Sequence, residues 1–215
     1  MAKRYLGKEQ SMCKLIDAVG IVIREKGYKG LTGTNIGKAA GLSKRLIYIY
    51  FESVEDLIEI YIRQKDYYAG AAIGFDTLQK SKQNKSFSIL IDLLTNQLDQ
   101  FYKDDELQKI ILWQISERSK VMFEVCEERE RLGTLFFKLA DPEFKDTSVD
   151  IRAITGLLVA GIYHMVLHAK STDSLFCEID INQPEGLNRI KKAIVDIIGY
   201  TYNKAIFERN LKKQN

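Results

Sequence analysis

The chain has 215 residues, 46% hydrophobic and 28% charged, with only 2 Pro and 14 Gly, which excludes a collagenous, mucin-like or disordered protein and describes a soluble chain able to bury a core. The formal charge of +3 is unevenly placed: residues 1–50 hold ten basic groups against three acidic ones, a net +7, leaving −4 on the rest. A basic first quarter on a mildly acidic remainder has the balance of a nucleic-acid-binding head on a non-binding body, although a solvated basic surface gives the same count.

The opening MAKRYLGKEQ has no apolar segment behind its basic residues, so no signal peptide is expected. From Ser11 to Lys26, Leu15, Ile16, Val19, Val22 and Ile23 fall at the spacing of one helical face, and Gly27 ends that helix. Thr32 caps a short second helix carrying Ile36, Ala39 and Ala40, which stops at Gly41. Ser43 caps a third through Ile47 to Phe51, and Ser53-Val-Glu-Asp56 has the form of a capping box opening a fourth, to about Gly70. The polar stretch Ser81 to Ser86 marks a loop. Amphipathic helices follow over Phe87–Tyr102, Glu106–Lys120 and Phe123–Leu139, the last ending at Asp141-Pro142. Thr147 to Asp150 opens an apolar run through His168. Its uncharged part, Ala153 to Ala169, is about a turn short of the ~20 residues a membrane span needs, so it reads as a buried helix. After a loop from Ser171 to Gln183, Pro184 starts a final helix to about Leu211. No stretch alternates with period two, which predicts an all-α fold of about nine helices. Cys13, Cys126 and Cys177 are odd in number and far apart, giving no disulfide framework and no CxxC motif and fitting a reducing cytoplasm.

Residues 27–57, GYKGLTGTNIGKAAGLSKRLIYIYFESVEDL, place a short helix, a tight turn at Gly41 and a second helix opening on Ser43, Lys44 and Arg45. That order is a helix-turn-helix, whose second helix enters the DNA major groove N-terminus first. Lys44 and Arg45 supply attraction to phosphate and possible guanine contacts, and Tyr48 faces the same side; Ile47 and Phe51 point to the core. A small three-helix bundle with no nucleic-acid role would account for the aromatic residues but not for the basic pair beside a Ser cap.

The segment from about residue 11 to 60 resembles the DNA-binding domain of the TetR family of transcriptional regulators. The resemblance rests on Leu15-Ile16-Asp17-Ala18, Glu25-Lys26-Gly27-Tyr28, Thr32, Ile36, Ala39-Ala40-Gly41-Leu42-Ser43, Tyr48, Tyr50-Phe51 and Glu55-Asp56-Leu57, in order and in register. It implies a DNA-contacting set of Thr32, Thr34, Ser43, Lys44, Arg45, Leu46, Tyr48, Ile49 and Tyr50. Three positions depart from the family pattern. Gly33 replaces an apolar residue and Gly37 an Ala, at about 1 kcal/mol each in helix propensity, which predicts a soft second helix. Val54 replaces a Lys that commonly touches a phosphate.

The resemblance also implies a division into a DNA-binding domain over 1–52 and a ligand-binding and dimerisation domain over 53–215, whose sequence diverges among members with the small molecule bound. Small residues on the penultimate helix let another helix approach, and the last helix offers a matching apolar face. In the family these two helices pair with their symmetry mates, which points to a dimer interface at Gly156, Ala160, Ile194, Ile197, Ile198 and Thr201; an intramolecular core helix is the alternative. Tyr68, Phe101, Trp113, Phe123, Tyr163 and His164 are candidates to line an effector cavity, or else are core. His164 and His168 have a chelating spacing but lack the glutamate of HExxH, so neither a metal nor any cofactor is expected.

The expectation is a cytoplasmic, homodimeric, ligand-responsive DNA-binding regulator, a repressor released from a palindromic operator by a small molecule. Its partners are double-stranded operator DNA, a second copy and an unidentified effector, with no membrane. One alternative is a small-molecule-binding or metal-dependent enzyme with a vestigial basic head. No Ser-His-Asp or Cys-His arrangement, Gly-rich phosphate loop or paired-carboxylate motif supports it, so the chain is expected not to be an enzyme. Another is a nonspecific nucleoid-type DNA-binding protein, which needs only the head.

Overall fold

Amphipathic periodicity along the chain becomes nine α-helices in the computed structural model, which describes residues 2–70 and 86–214; among these the only extended pairing is an isolated bridge between Phe176 and Ile179. The helices are α1 (Ala2–Lys26), α2 (Gly33–Ala40), α3 (Arg45–Tyr50), α4 (Val54–Gly70), α5 (Ser86–Lys103), α6 (Asp105–Ser116), α7 (Lys120–Phe144), α8 (Ile151–Thr172) and α9 (Pro184–Gln214). The fold is all-α, as the pattern predicts. Of the expected Ser81–Ser86 loop, residues 81–85 lie outside the described residues and Ser86 opens α5.

The main differences from the sequence reading fall at three boundaries. The first helix begins at Ala2 rather than Ser11. The break after α6 falls at Glu117, and a new helix starts at Lys120, where the Ser119 carbonyl accepts from Phe123 N at 2.9 Å. Pro142 does not end α7, which continues to Phe144. So near the terminus proline removes only one hydrogen bond, and Thr147 satisfies the Phe144 carbonyl through its hydroxyl at 2.8 Å.

The helices form two compact units, residues 1–69 with 104–127, and 70–103 with 128–215. The first therefore extends past residue 52 to include α4, α6 and the start of α7. Its core joins Leu15, Val19, Val22 and Ile23 of α1 to Ile36, Ile47, Phe51, Leu57, Ile62, Ile110 and Met122. Gly20 permits α4 to come close: a Cβ there would lie 2.1 Å from the Tyr61 hydroxyl and 3.2 Å from Glu106 Oε1. The Glu106 carboxylate, 4% exposed, is paired with Arg24 and has Lys65 Nζ at 3.4 Å. Burial pushes this carboxyl above the usual carboxylate range while Arg24 draws it back.

In the second unit, α5 packs on α8 and α9. Leu90, Leu94, Leu98 and Phe101 of α5, Phe136 and Phe144 of α7, Ile162 and Val166 of α8, and Ile194, Ile198 and Tyr202 of α9 are buried. Ser86 Oγ lies 2.7 Å from the Tyr202 hydroxyl, whose pKa burial pushes up to about 12. The expectation that the apolar run is a buried helix fails in part. Helix α8 buries Ile151, Ile162, Val166 and Ala169 but leaves Leu157 75% exposed. Among the described residues it is the one helix whose length and composition would allow a membrane crossing.

Candidate nucleic-acid interface

Thr32 opens α2 as the sequence predicts, its hydroxyl accepting from Asn35 N at 3.2 Å. Asn35 turns back to donate to the Gly30 carbonyl at 2.8 Å and accepts from Lys26 at 3.1 Å, tying α2 to the end of α1. Gly41 closes α2 in the left-handed region, φ 65°, where glycine carries no steric penalty. Leu42 N then donates to the Gly37 carbonyl at 2.9 Å and brings the chain across α2. Ser43 does not occupy the formal cap position of α3, which falls on Lys44, but its hydroxyl accepts from Arg45 N at 3.3 Å. Ile36 and Ile47, both fully buried, fix the two helices to α1.

With Ile47 and Phe51 turned inward, the opposite side of α3 is in solvent. Ser43, Lys44, Arg45, Tyr48 and Ile49 are exposed, as are Thr32 and Thr34 at the start of α2. Leu46 and Tyr50 are half-buried and pack on the core of the unit. Tyr50 also has Lys8 Nζ 5.8 Å from its ring centre, a basic group on α1 that the sequence reading did not single out. Seven of the nine candidate residues are thus exposed, Lys44 and Arg45 among them, as is the further cation Lys38.

Residues 15–60 match the family model for bacterial regulatory proteins of the tetR family. Over that stretch the chain carries the tetR-family sequence pattern. No curated protein matches the sequence. Among solved structures, the transcriptional regulator FadR from Bacillus subtilis, in complex with stearoyl-CoA, is similar at 16% identity over 86% of this chain and 96% of that one, with a TM-score of 0.66. The fatty acid degradation regulator FadR of Bacillus halodurans is 20% identical over 86% and 94%, TM-score 0.63. NalD of Pseudomonas aeruginosa, the secondary repressor of the MexAB-OprM multidrug efflux pump, is 15% identical over 91% and 96%, TM-score 0.58. At these identities the likeness is one of fold.

Two of the departures from the TetR pattern turn out to be one. A Cβ on Gly33 would lie 3.2 Å from Val54 Cγ2 and 3.6 Å from the Tyr48 hydroxyl, and Val54 is 8% exposed. The side chain that replaces the phosphate-binding Lys is therefore packed into the space that Gly33 leaves. Gly37 is a close-approach point rather than a soft spot: a Cβ there would meet the Leu42 carbonyl at 3.0 Å and Lys44 N at 3.1 Å, both backbone.

The candidate ligand residues do not converge on one cavity. Trp113 lies in the first unit, stacked on Tyr28 at 5.7 Å, and Phe123 in the same unit is 64% exposed. In the other unit Phe101 is buried edge-on to Tyr163 at 4.8 Å, and Tyr163 accepts from Gln97 at 2.9 Å. His164 is exposed, with Phe176 at 5.0 Å. The side chain of Tyr68 lies outside the described residues. A surface cleft of about 610 Å³ lies elsewhere, between Asp141 and Arg152. His168 Nε2 is 3.0 Å from Ser174 Oγ, and Phe176 sits against both histidine rings, so the pair packs the 173–183 loop. Of the six interface candidates, Gly156, Ala160 and Ile197 are exposed, whereas Ile194, Ile198 and Thr201 are turned into the protomer's own core.

Proposed function

We propose that the chain is a homodimeric transcriptional repressor that holds a palindromic operator and releases it when a small molecule binds the C-terminal body. The observation that carries this reading is the outward face of α3, where Lys44, Arg45 and Tyr48 stand in solvent on a basic head that fits the TetR model. Cations on an exposed helix attract phosphate and can reach base edges in the major groove. The DNA-contacting set is Thr32, Thr34, Ser43, Lys44, Arg45, Tyr48 and Ile49, with Leu46 and Tyr50 supporting from the core side.

Dimerisation is supported by the outer surfaces of α8 and α9, where Leu157, Ile197, Tyr200 and Phe207 are exposed at 75%, 40%, 73% and 63%. A Cβ at Gly156 would meet nothing within 4 Å, so packing within the protomer does not call for that glycine. It leaves room for a facing helix of a second copy, and two heads are what a palindrome needs. A cytoplasmic, non-catalytic protein follows from this reading.

Helix α4 leads from the head to Gly70, the first residue of the second unit, and α7 contributes to both units. An effector that shifts either helix would alter the head spacing of about 34 to 36 Å that one DNA turn demands. The coupling, about 1 to 3 kcal/mol, is reciprocal, so the effector must bind the DNA-free dimer more tightly by the same factor. Stearoyl-CoA, held by the Bacillus subtilis regulator, is the first compound to titrate. Footprinting on the DNA upstream of the coding region tests the whole reading. A discrete palindromic footprint supports it, uniform coating favours a nucleoid-type protein, and no protection favours the enzyme alternative.

A further inference from the structure

The exposed face of α3 offers few chemical types. The helix reads RLIYIY, and its solvent-facing members are Arg45, Tyr48 and Ile49. It contains no Asn or Gln to pair with adenine and no carboxylate to accept from the cytosine amine. With Lys44 at its cap, what it can present to bases is one ammonium, one guanidinium, one phenol and one branched aliphatic side chain. Ile49 is 59% exposed, although burial of such a side chain is favourable and its neighbour Ile47 is fully buried. It lies four residues after Arg45, on the same side of the helix. The surrounding surface is basic, with Lys38, Lys44 and Arg45 exposed, which favours a polyanion over a cationic or neutral protein surface. In the major groove of a polyanionic duplex the principal apolar feature is the C5-methyl group of thymine.

We propose that Ile49 reads a thymine methyl group in each operator half-site, so that part of the sequence preference is carried by apolar contact and not by hydrogen bonding. This rests on the regulator reading above and deepens it by naming the base class. Arg45 and Tyr48 hold the helix in the groove, and Ile49 discriminates thymine from a base that presents no methyl at that edge. The methyl is a small group, so the expected loss on removing it is about fourfold per half-site and about fifteenfold when both halves are altered.

The test uses the full chain and a pool of random-sequence duplexes, from which bound molecules are selected. In the preferred duplex each half-site thymine is replaced in turn, in both halves, by deoxyuridine, which removes only the methyl. Fluorescence anisotropy is then measured for the wild type and Ile49→Ala, which is expected to fold normally because the side chain is exposed. One thymine position is expected to lose about fifteenfold with the wild type and to become indifferent in Ile49→Ala. Ile115→Ala, altering an isoleucine 66% exposed on α6, should retain the full sensitivity. Absence of any methyl-sensitive thymine, or unchanged sensitivity in Ile49→Ala, overturns the inference and leaves the regulator reading standing. Failure of the pool to yield any preferred duplex overturns both.

Discussion

The helix-turn-helix head and the C-terminal body use the same residue types to different ends. In the head, α2 and α3 have 8 and 6 residues, and a single large inward side chain, Ile36 or Ile47, decides which way each faces. Everything opposite that position is exposed, and that is where the cations lie. In the body, α8 and α9 have 22 and 31 residues with apolar side chains on more than one side. Ile198 is fully buried while Ile197 beside it is 40% exposed. A short helix with one apolar face has one way to pack; a long one with two has a surface left over for a partner.

Replacing Ile47 with Ala tests the head most severely, since its side chain is fully buried between α1 and the helix pair. Urea unfolding should show a loss of about 2 to 5 kcal/mol. Tyr200→Ala in the body removes a side chain 73% exposed. It should leave protomer stability within about 0.5 kcal/mol of wild type and instead weaken dimerisation, read by sedimentation. Equal effects on the two properties would break the contrast.

Arg45→Ala should weaken operator binding by about 1 to 3 kcal/mol with thermal stability unchanged, because the guanidinium is exposed and its loss leaves the core intact. An anisotropy titration with unchanged affinity would move the recognition surface elsewhere. Smaller still is the interplay of Gly33 and Val54. Ala at 33 alone crowds Val54 and gains little, whereas Gly33→Ala in a Val54→Ala background should recover the helix-propensity gain of about 1 kcal/mol. Gly37→Ala should instead destabilise in either background, because the crowded atoms are backbone. Additive single effects at 33 and 54 would refute the pairing.

Legibility follows the same division. Thr32, Gly41 and Ser53 announced helix ends from sequence because caps are local: the Ser53 hydroxyl accepts from Asp56 N at 3.0 Å, within four residues of chain. Val54 was legible as a departure from the TetR pattern, but its partner was not, since Gly33 lies twenty-one positions away and only packing brings them together. Nothing in the sequence tied Glu106 to Arg24, or Trp113 to Tyr28, because those contacts join α6 to residues read as belonging to another domain, and only packing brings Lys65 of α4 to Glu106. On α9, periodicity grouped Ile194, Ile197, Ile198 and Thr201, yet a helix apolar over so wide an arc carries no mark of which part faces inward.

The mildest effect concerns that buried carboxylate. Glu106 holds its proton more tightly in the folded protein than in the unfolded chain. The folded state therefore binds more protons just above the usual carboxylate range, and this group's contribution to stability falls as pH rises through its raised value. The difference between wild type and Glu106→Gln, followed by thermal unfolding from acidic to neutral pH, should move in favour of Gln as pH increases. A pH-independent difference would mean that Arg24 and Lys65 offset the burial completely.

The most direct measurement is the stoichiometry and symmetry of the DNA complex. The full chain, titrated onto a duplex carrying its footprint and examined by sedimentation, should bind as two protomers per duplex, with hydroxyl-radical protection in two equivalent halves about one helical turn apart. Two protomers on a symmetric site is the result expected of a dimer that presents α3 twice. A single protomer per site, or protection that lengthens without limit as protein is added, would contradict it.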